Sequence, residues 1–424
     1  MKFLRLIFVF LCLALIILHP YTIYGKPGLL VAATLAGYGL FHGIKKRFAI
    51  LFLLPALGLL LIGAIGVVSS LFNNIFQLNH LMSAISFNVL LLAAYGLWVY
   101  CERRNISRDE VLTAILFVVV FNSIVILLEL QFESFRLLIE SFLDPLRGGS
   151  INYAKGFRFR GVAGSGGAGL SLSIPVALTI ALYLFERKIL SLFLLIPIVA
   201  ILLFSVLVIG RTGLILTLIP CALYLTQLLQ PRRMAVTLAL CVVVVAVSIA
   251  LLQFATSYFS GTFGDGFVKY SFGFLLDGIE GIEKEGTVGV IAGFLTVLPL
   301  EFPQALVGYG FYGGSDFFPW TDSGYSRMFL SVGFVFGLMF YLIIFRTYFL
   351  GFKGNEFLIG TLILILAVAE LKEPLLFSKI ASRIFIITLV FCWFNRRPLY
   401  KFKRIRRGLL PDSNDGVQMG SSKL

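Results

Sequence analysis

The chain has 424 residues, of which 59% are hydrophobic and only 13% charged, and its formal net charge is +14. This composition excludes an ordinary soluble globular protein, in which about a quarter of the residues are charged. Repeated apolar runs of about 17–24 residues are long enough to cross a hydrocarbon core of about 30 Å as helices. We therefore predict an all-α polytopic integral membrane protein, with one transmembrane domain over residues 1–424.

Twelve apolar segments are predicted to span the membrane. In chain order they are 4–18, 27–44, 48–71, 83–101, 111–130, 169–185, 189–209, 212–229, 234–254, 325–345, 356–371 and 380–395. The first has the basic start and apolar body of a signal peptide, but it lacks a small-x-small cleavage site. We therefore predict that it is retained as the first helix.

The basic residues predict the orientation of these spans. Every second connection is basic: Lys45-Lys46-Arg47, Arg103-Arg104 with Arg108, Arg187-Lys188, Arg232-Arg233, and Arg346 with Lys353. By the positive-inside rule these connections and both termini are cytoplasmic. The tail 396–424 begins with seven basic residues in the twelve positions 396–407. Nucleic acid is one partner for such a tail, but anionic lipid is preferred because the tail follows an apolar helix.

Two predicted periplasmic loops are long, at about 131–168 and about 255–324. The first opens with apolar residues on one helical face, which predicts an amphipathic helix on the outer membrane surface. They are Phe132, Phe135, Leu138, Ile139, Phe142 and Leu143. The second loop contains an apolar piece, 287–300, that is too short to span and is interpreted as interfacial or re-entrant.

Basic residues on the outer side break the charge rule and therefore point to an anionic ligand. Arginine presents a planar fork of donors that suits phosphate oxygens. The residues are Arg147, Lys155, Arg158, Arg160, Arg211, Arg327, Lys372, Lys379 and Arg383. Taken together they suit a pyrophosphate. Each alone is equally compatible with lipid headgroups, or with an ion pair to Glu129, Asp316, Asp322, Glu370 or Glu373.

Glycine and aromatic residues alternate between 308 and 325. Glycines allow the backbone to approach a ligand, and aromatic faces suit sugars. An aromatic belt at the membrane interface explains the same residues, so both interpretations stay open. The run Gly164–Gly169 lacks the lysine of a phosphate-binding loop, and close helix packing is its default meaning.

The cysteines and histidines do not predict a metal site. The cysteines lie in or beside apolar runs and lack metal-site spacing: Cys12, Cys101, Cys221, Cys241 and Cys392. There is no Asp-x-Asp motif, and the three histidines are far in sequence from the long loops. We therefore predict no metal and no other cofactor, with arginine and lysine stabilising a leaving phosphate instead.

Four stretches resemble the O-antigen polymerase (Wzy) family. They are Arg158-Phe-Arg-Gly161, followed by the glycine run into a helix and with Gly169 at the Arg-x10-Gly spacing; Ser205–Leu214, ending in Ile-Gly-Arg211-Thr-Gly213; Val307–Gly310 with Thr321–Arg327 and a glycine-containing helix; and the turn Glu370–Pro374. The 255–324 loop has no second Arg-x10-Gly. It also has no histidine, which related O-antigen ligases carry in the corresponding loop, and this favours a polymerase.

The resemblance implies an enzyme of the bacterial inner membrane with its active site facing the periplasm. It would transfer a growing glycan from undecaprenyl pyrophosphate to the sugar of another lipid-linked repeat. The implied partners are these lipid-linked oligosaccharides, membrane lipids and a chain-length-regulating co-polymerase, with no nucleic acid. Arg158, Arg160 and Arg211 would bind the pyrophosphates.

Further site residues come from these stretches, from the other outer basic residues and from the aromatic tract. Asp322 is the predicted general base, with Glu370 and Glu373 as alternatives. The predicted substrate-binding residues are Tyr309, Trp320, Tyr325, Arg327, Lys372, Lys379 and Arg383. A ligase to lipid A-core and a lipid-linked oligosaccharide flippase remain alternatives, although a transporter predicts charges nearer mid-membrane and internal repeats.

Overall fold

A computed structural model describes residues 2–22, 25–74, 76–143, 159–164, 166–228, 298, 302–310, 321, 323–372, 374, 376 and 380–394. Its regular structure there is helical, apart from isolated bridges of Thr22 with Gly25 and Leu143. The helices are α1 Lys2–Leu18, α2 Pro27–Phe41, α3 Lys46–Phe72, α4 Asn79–Arg103, α5 Arg108–Gln131, α6 Glu133–Phe142, α7 Ala168–Ser171, α8 Ser173–Glu186, α9 Leu192–Ile209, α10 Arg211–Leu228, α11 Gln304–Val307, α12 Gly324–Phe349, α13 Glu356–Ala369 and α14 Ala381–Phe394.

The prediction of an all-helical chain is confirmed for the described residues. Each predicted span among them is largely helical, with 169–185 divided between α7 and α8, whereas 234–254 lies outside the described residues. Six helical stretches in the described part are long and apolar enough to cross a membrane: Lys46–Phe72, Asn79–Arg103, Arg108–Gln131, Gly169–Glu186, Leu192–Ile209 and Gly324–Phe349. The count of twelve spans stays a prediction.

Helix starts follow from local chemistry. The Oγ of Ser107 accepts the N–H of Glu110, and the Glu110 carboxylate accepts the N–H of Ser107 at 2.7 Å. This reciprocal capping box satisfies two orphan donors and fixes the start of α5. Proline at the first position of α2 lacks an N–H that would have no helical partner there.

Close contacts between helices build the core. A Cβ on Gly96 of α4 would lie 1.8 Å from the Leu35 carbonyl oxygen of α2. Without that atom the two backbones approach closely, which is how helices associate where no hydrophobic effect operates between them. Two residues further along α4, the ring of Trp98 stacks on that of Phe394 with 3.9 Å between the centroids. This contact joins α14 to α4.

The basic connections meet at one end of the bundle, which we call the basic end. Lys2 pairs with Glu110 and Lys45 with Glu102, each at 2.6 Å. Beside these pairs, a second network joins α5, α8 and the start of α13. In it Arg187 reaches Asp109 at 3.2 Å, Arg108 donates to the Oδ1 of Asn355, and Tyr183 donates to the same oxygen at 3.3 Å. The predicted cytoplasmic connections within the described part of the chain therefore share one end, whereas Arg232-Arg233 and the tail 396–424 lie outside that part.

The C-terminal ends of α1 and α5 lie at the other end of the bundle, which we call the opposite end. The predicted amphipathic helix is present there as α6, with Leu137, Leu138 and Phe142 exposed. Leu143, directly after α6, pairs with Thr22. The predicted outer connections that the structure describes therefore gather away from the basic end.

Helix α12 is interrupted at Gly333, whose φ is +77°. A residue in this left-handed conformation cannot continue an α-helix, so the carbonyls just before it need other donors. The N–H of Tyr309 bonds to the Leu330 oxygen at 2.6 Å, and that of Gly310 to the Ser331 oxygen at 2.8 Å. The segment after α11 thus completes the hydrogen bonding of a broken membrane helix, which the sequence analysis did not predict.

Asn355 provides a test of the basic-end network. It is buried, and Asn355→Leu leaves Arg108 and Tyr183 without their shared acceptor. We expect a loss of about 1–3 kcal/mol in the free energy of unfolding, since buried donors lose their bonds. Thermal unfolding in detergent measures it. Asn79→Leu, at an exposed position, is the control, and equal losses in both variants would contradict the role of the network.

Candidate functional site

The Arg-Phe-Arg-Gly stretch is fastened to α5 at the opposite end. The Asn122 side chain accepts the N–H of Val162 at 3.0 Å and donates to the Arg160 carbonyl at 3.3 Å. Glu129 accepts the N–H of Gly161 at 3.0 Å through Oε2. Asn122 and Glu129 are seven residues apart and so share one face of the helix. Together they bind the backbone of three consecutive residues.

Gly161 is required by its backbone and by its surroundings. Its φ is +61°, and a Cβ there would lie 2.6 Å from the Oδ1 of Asn122. A side chain would therefore strain the backbone and displace the amide that holds the segment. The glycine of the motif is explained by this contact with α5.

The end of α1 holds the same segment from another side. The N–H of Gly164 bonds to the Leu18 carbonyl at 2.9 Å. In turn the Nη1 of Arg383, at the start of α14, donates to the Ile16 carbonyl at 2.8 Å. The last turn of α1 therefore lies between the Arg160 segment and α14.

The stretch around Arg211 packs against the helix that follows the glycine run. Gly213 of α10 approaches so closely that a Cβ would lie 2.3 Å from the Ser171 carbonyl oxygen of α7. Two of the stretches that carry the resemblance are thus in direct contact.

The other two stretches also meet. Glu370, at the end of α13, is fully buried, and its carbonyl accepts the N–H of Gly324 at 2.9 Å. Its carboxylate accepts the Leu376 N–H at 2.7 Å and the Tyr341 hydroxyl at 2.9 Å. A Cβ on Gly324 would lie 1.9 Å from that carboxylate, so the glycine at the start of α12 makes room for Glu370.

Several predicted site residues act as braces at this end. Arg327 donates from Nε to the Thr321 carbonyl at 2.6 Å, and Tyr325 donates to the Ala367 carbonyl at 3.1 Å. Tyr309 is partly buried beside the break in α12, and Lys372 is partly buried just after α13. These bonds tie the start of α12 to α13 and to the residues that precede it.

Arg160 is 3% exposed, so it is not an open surface charge. Its charge acts on the Glu129 carboxylate, which is itself 1% exposed. Burial of a charge is costly unless an opposite charge or hydrogen bonds compensate it. Both charged groups are therefore buried beside the backbone that Asn122 and Glu129 bond.

Other predicted site residues lie outside the described part of the chain. They are Arg158, Trp320, Asp322, Glu373 and Lys379. The backbone of Arg211 is described as the first residue of α10, but its side chain is not. The structure thus brings Arg160, Arg383, Arg327, Lys372 and Glu370 to one end of the bundle, and it leaves the roles of the first group as predictions.

The sequence analysis missed Asn122 and named Glu129 only as an ion-pair partner. A signal was available, because both are polar residues in an apolar helix and lie seven positions apart. Ionisable residues at membrane depth are costly and therefore suggest a functional role by default.

Among the described residues, no group of three or more histidine, cysteine, aspartate or glutamate side chains could hold a metal ion.

Gly161→Ala tests the anchoring of the segment. A left-handed residue with a side chain costs about 1–2 kcal/mol, and the contact with Asn122 adds to that cost. We expect a lower apparent melting temperature in detergent, with less protein in the membrane.

Gly37→Ala is the matched control, because a Cβ there meets nothing within 4 Å and the residue lies in α2. It should leave stability unchanged or raise it by up to about 1 kcal/mol through helix propensity. Equal stability of the Gly161→Ala variant and the wild type would refute the anchoring contact.

Comparison of the chain with protein-family models, with curated proteins and with solved structures returns no match. The resemblance to the O-antigen polymerase family therefore rests on the four stretches themselves.

Proposed function

We propose that the chain is a bacterial inner-membrane polymerase of surface polysaccharide, a glycosyltransferase that uses polyprenyl pyrophosphate. An acceptor hydroxyl of one lipid-linked repeat bonds to the anomeric carbon of the growing glycan. The bond from that carbon to the pyrophosphate oxygen breaks, and pyrophosphate leaves with the electron pair. The hydroxyl proton passes to a base.

One observation carries this proposal: all four stretches of the resemblance lie at the opposite end and contact one another in pairs. Ser171 meets Gly213, and Glu370 meets Gly324. The last turn of α1 is bonded to Gly164, at the start of the glycine run, and to Arg383 at the start of α14. Segments remote in sequence are expected to converge in this way when they form one site.

The charge of this end supports an anionic substrate. Arg160, Arg327, Lys372 and Arg383 all lie there, away from the basic end. In the proposed reaction Arg158, Arg160 and Arg211 neutralise the pyrophosphates, and Arg327, Lys372, Lys379 and Arg383 assist. Positive charge fixed where negative charge develops lowers the barrier without reorganisation. Holding two lipid-anchored substrates in one site adds a large proximity effect.

The proposed glycan contacts and the proposed base come from residues within or just before α12. Tyr309, Trp320 and Tyr325 are proposed to contact the glycan. Asp322 is the proposed base, because both carboxylate oxygens of the alternative Glu370 already accept hydrogen bonds from Leu376 and Tyr341. Glu373 remains the other alternative. The expected partners are lipid-linked oligosaccharides, membrane lipids and a chain-length-regulating co-polymerase.

Arg158→Ala tests the function in a deletion strain. We expect the wild type to restore the ladder of long lipopolysaccharide chains, and the variant to lower it about a hundredfold, because one strong charge contact to the leaving group is lost. A lipopolysaccharide gel, with protein amounts checked by blot, measures this. Arg104→Ala, which removes an exposed charge at the basic end, should keep the ladder.

The deletion strain itself separates the alternatives. A core that carries one repeat supports a polymerase, because transfer of a single repeat needs no polymerisation. Loss of even that repeat would contradict the proposal and favour a flippase or a ligase.

Asp322→Asn tests the base. We expect at least about a hundredfold slower polymerisation at normal protein amounts, since an amide cannot accept the proton. The measurement is the rate of chain growth in membranes supplied with lipid-linked repeats. Chain growth at the wild-type rate in this variant would exclude Asp322 as the base. The same measurement on Glu373→Gln then tests the remaining candidate.

A further inference from the structure

Two arginines at the basic end have no part in the proposed reaction. Arg5 lies on α1, Arg104 directly follows α4, and the Nη1 of Arg5 reaches the Arg104 carbonyl at 3.5 Å. Arg104 is exposed and Arg5 is half-buried, so the fold leaves both accessible. Two cations from remote parts of the chain are thus brought to one place on the surface.

The protein does not neutralise these two charges. No carboxylate in the part of the chain that the structure describes pairs with Arg5 or Arg104, because carboxylates at this end bind other basic residues. Those pairs are Lys2–Glu110 and Lys45–Glu102, each at 2.6 Å, and Arg187–Asp109 at 3.2 Å. Like charges held close together repel each other, and an anion bound between them removes that repulsion. The arrangement therefore favours an anionic ligand.

Aromatic rings lie beside both arginines. The guanidinium of Arg104 lies over the ring of Tyr100, 6.0 Å from its centroid, and the Phe8 ring is 5.2 Å from the Tyr100 ring. Phe8 follows Arg5 by three residues and Tyr100 precedes Arg104 by four, so each ring shares a helix face with its arginine. Because a cation is attracted to the face of a ring, Tyr100 orients the guanidinium of Arg104.

An apolar surface continues from the two arginines along α1, the predicted first span. Its exposed side chains include Leu4, Ile7, Phe8 and Leu11. In a chain that spans a membrane, such side chains contact the acyl chains of lipids. A ligand with an anionic headgroup and acyl chains would contact both the arginines and this surface, whereas a soluble anion would contact the arginines alone.

We propose that Arg5 and Arg104 form a binding site for an anionic phospholipid, between α1 and α4 at the basic end. The two guanidinium groups bind the phosphate oxygens of the headgroup, and an acyl chain lies along the exposed side chains of α1. Basic pockets between membrane helices on the cytoplasmic side suit anionic headgroups, and the positive-inside rule predicts that the basic end is cytoplasmic.

The test measures lipid binding by the full-length protein, purified in detergent and monodisperse. Phosphatidylglycerol or zwitterionic phosphatidylcholine is titrated into the micelles, and bound lipid is counted by native mass spectrometry. We expect the wild type to bind phosphatidylglycerol at least about tenfold more tightly, because both arginines attract its net negative charge. The double variant Arg5→Gln with Arg104→Gln should lose this preference.

The matched control is a second double variant, Lys46→Gln with Arg103→Gln. Both residues are exposed at the basic end, so this variant loses the same charge but keeps the two arginines of the site. In about 0.15 M salt, where more distant charges are screened, its preference for phosphatidylglycerol should stay within about threefold of the wild type.

Three outcomes would overturn the lipid site. The first is equal affinity of the wild type for the two lipids. The second is an equal loss in both double variants, which would show a diffuse attraction to surface charge. The third is displacement of bound phosphatidylglycerol by glycerol 3-phosphate, which would assign the arginines to a soluble phosphate. The inference does not rest on the proposed function, because the proposed polymerisation site lies at the opposite end.

Discussion

Buried non-helical backbone needs hydrogen-bond partners, and this need determines the structure of the described part of the opposite end. In a membrane each unpaired N–H or carbonyl costs several kcal/mol, so irregular segments persist only where protein groups bond them. Here side chains of α5 form hydrogen bonds with the backbone of 160–162. The N–H groups of 309 and 310 bond to carbonyls of the broken helix α12, and the Glu370 carbonyl accepts the N–H of Gly324 at the start of that helix. Each irregular segment thus depends on a helix remote in sequence.

This dependence explains the glycines of the motifs better than ligand approach does. Gly161 fits against Asn122, Gly213 against Ser171, and Gly324 against the Glu370 carboxylate. In each case the missing side chain lets one protein segment reach another. The described glycines therefore allow close packing of one segment on another.

The sequence predicted the helices well, but it did not predict the contacts that hold the candidate site together. Apolar length and alternating basic connections are strong signals, because hydrocarbon thickness and charge translocation act on every span. The break at Gly333 had no such signal, since a single glycine is common inside membrane helices. The pairing of Glu129 with Gly161 was equally hidden, because it depends on how a loop folds back onto α5. Such tertiary contacts leave no periodic pattern in either partner.

Burial changes the meaning of the outer arginines. In the sequence, Arg160, Arg327 and Arg383 are equivalent charges. In the structure the charge of Arg160 acts on Glu129. Arg327 donates to the Thr321 carbonyl, and Arg383 donates to the Ile16 carbonyl. A guanidinium has five donors in a rigid fork, so one carbonyl bond fixes its plane without using up the group. Bracing and anion recognition are therefore compatible in the same residue. In the proposed function, cations that the fold has already oriented lower the entropy cost of binding the anion.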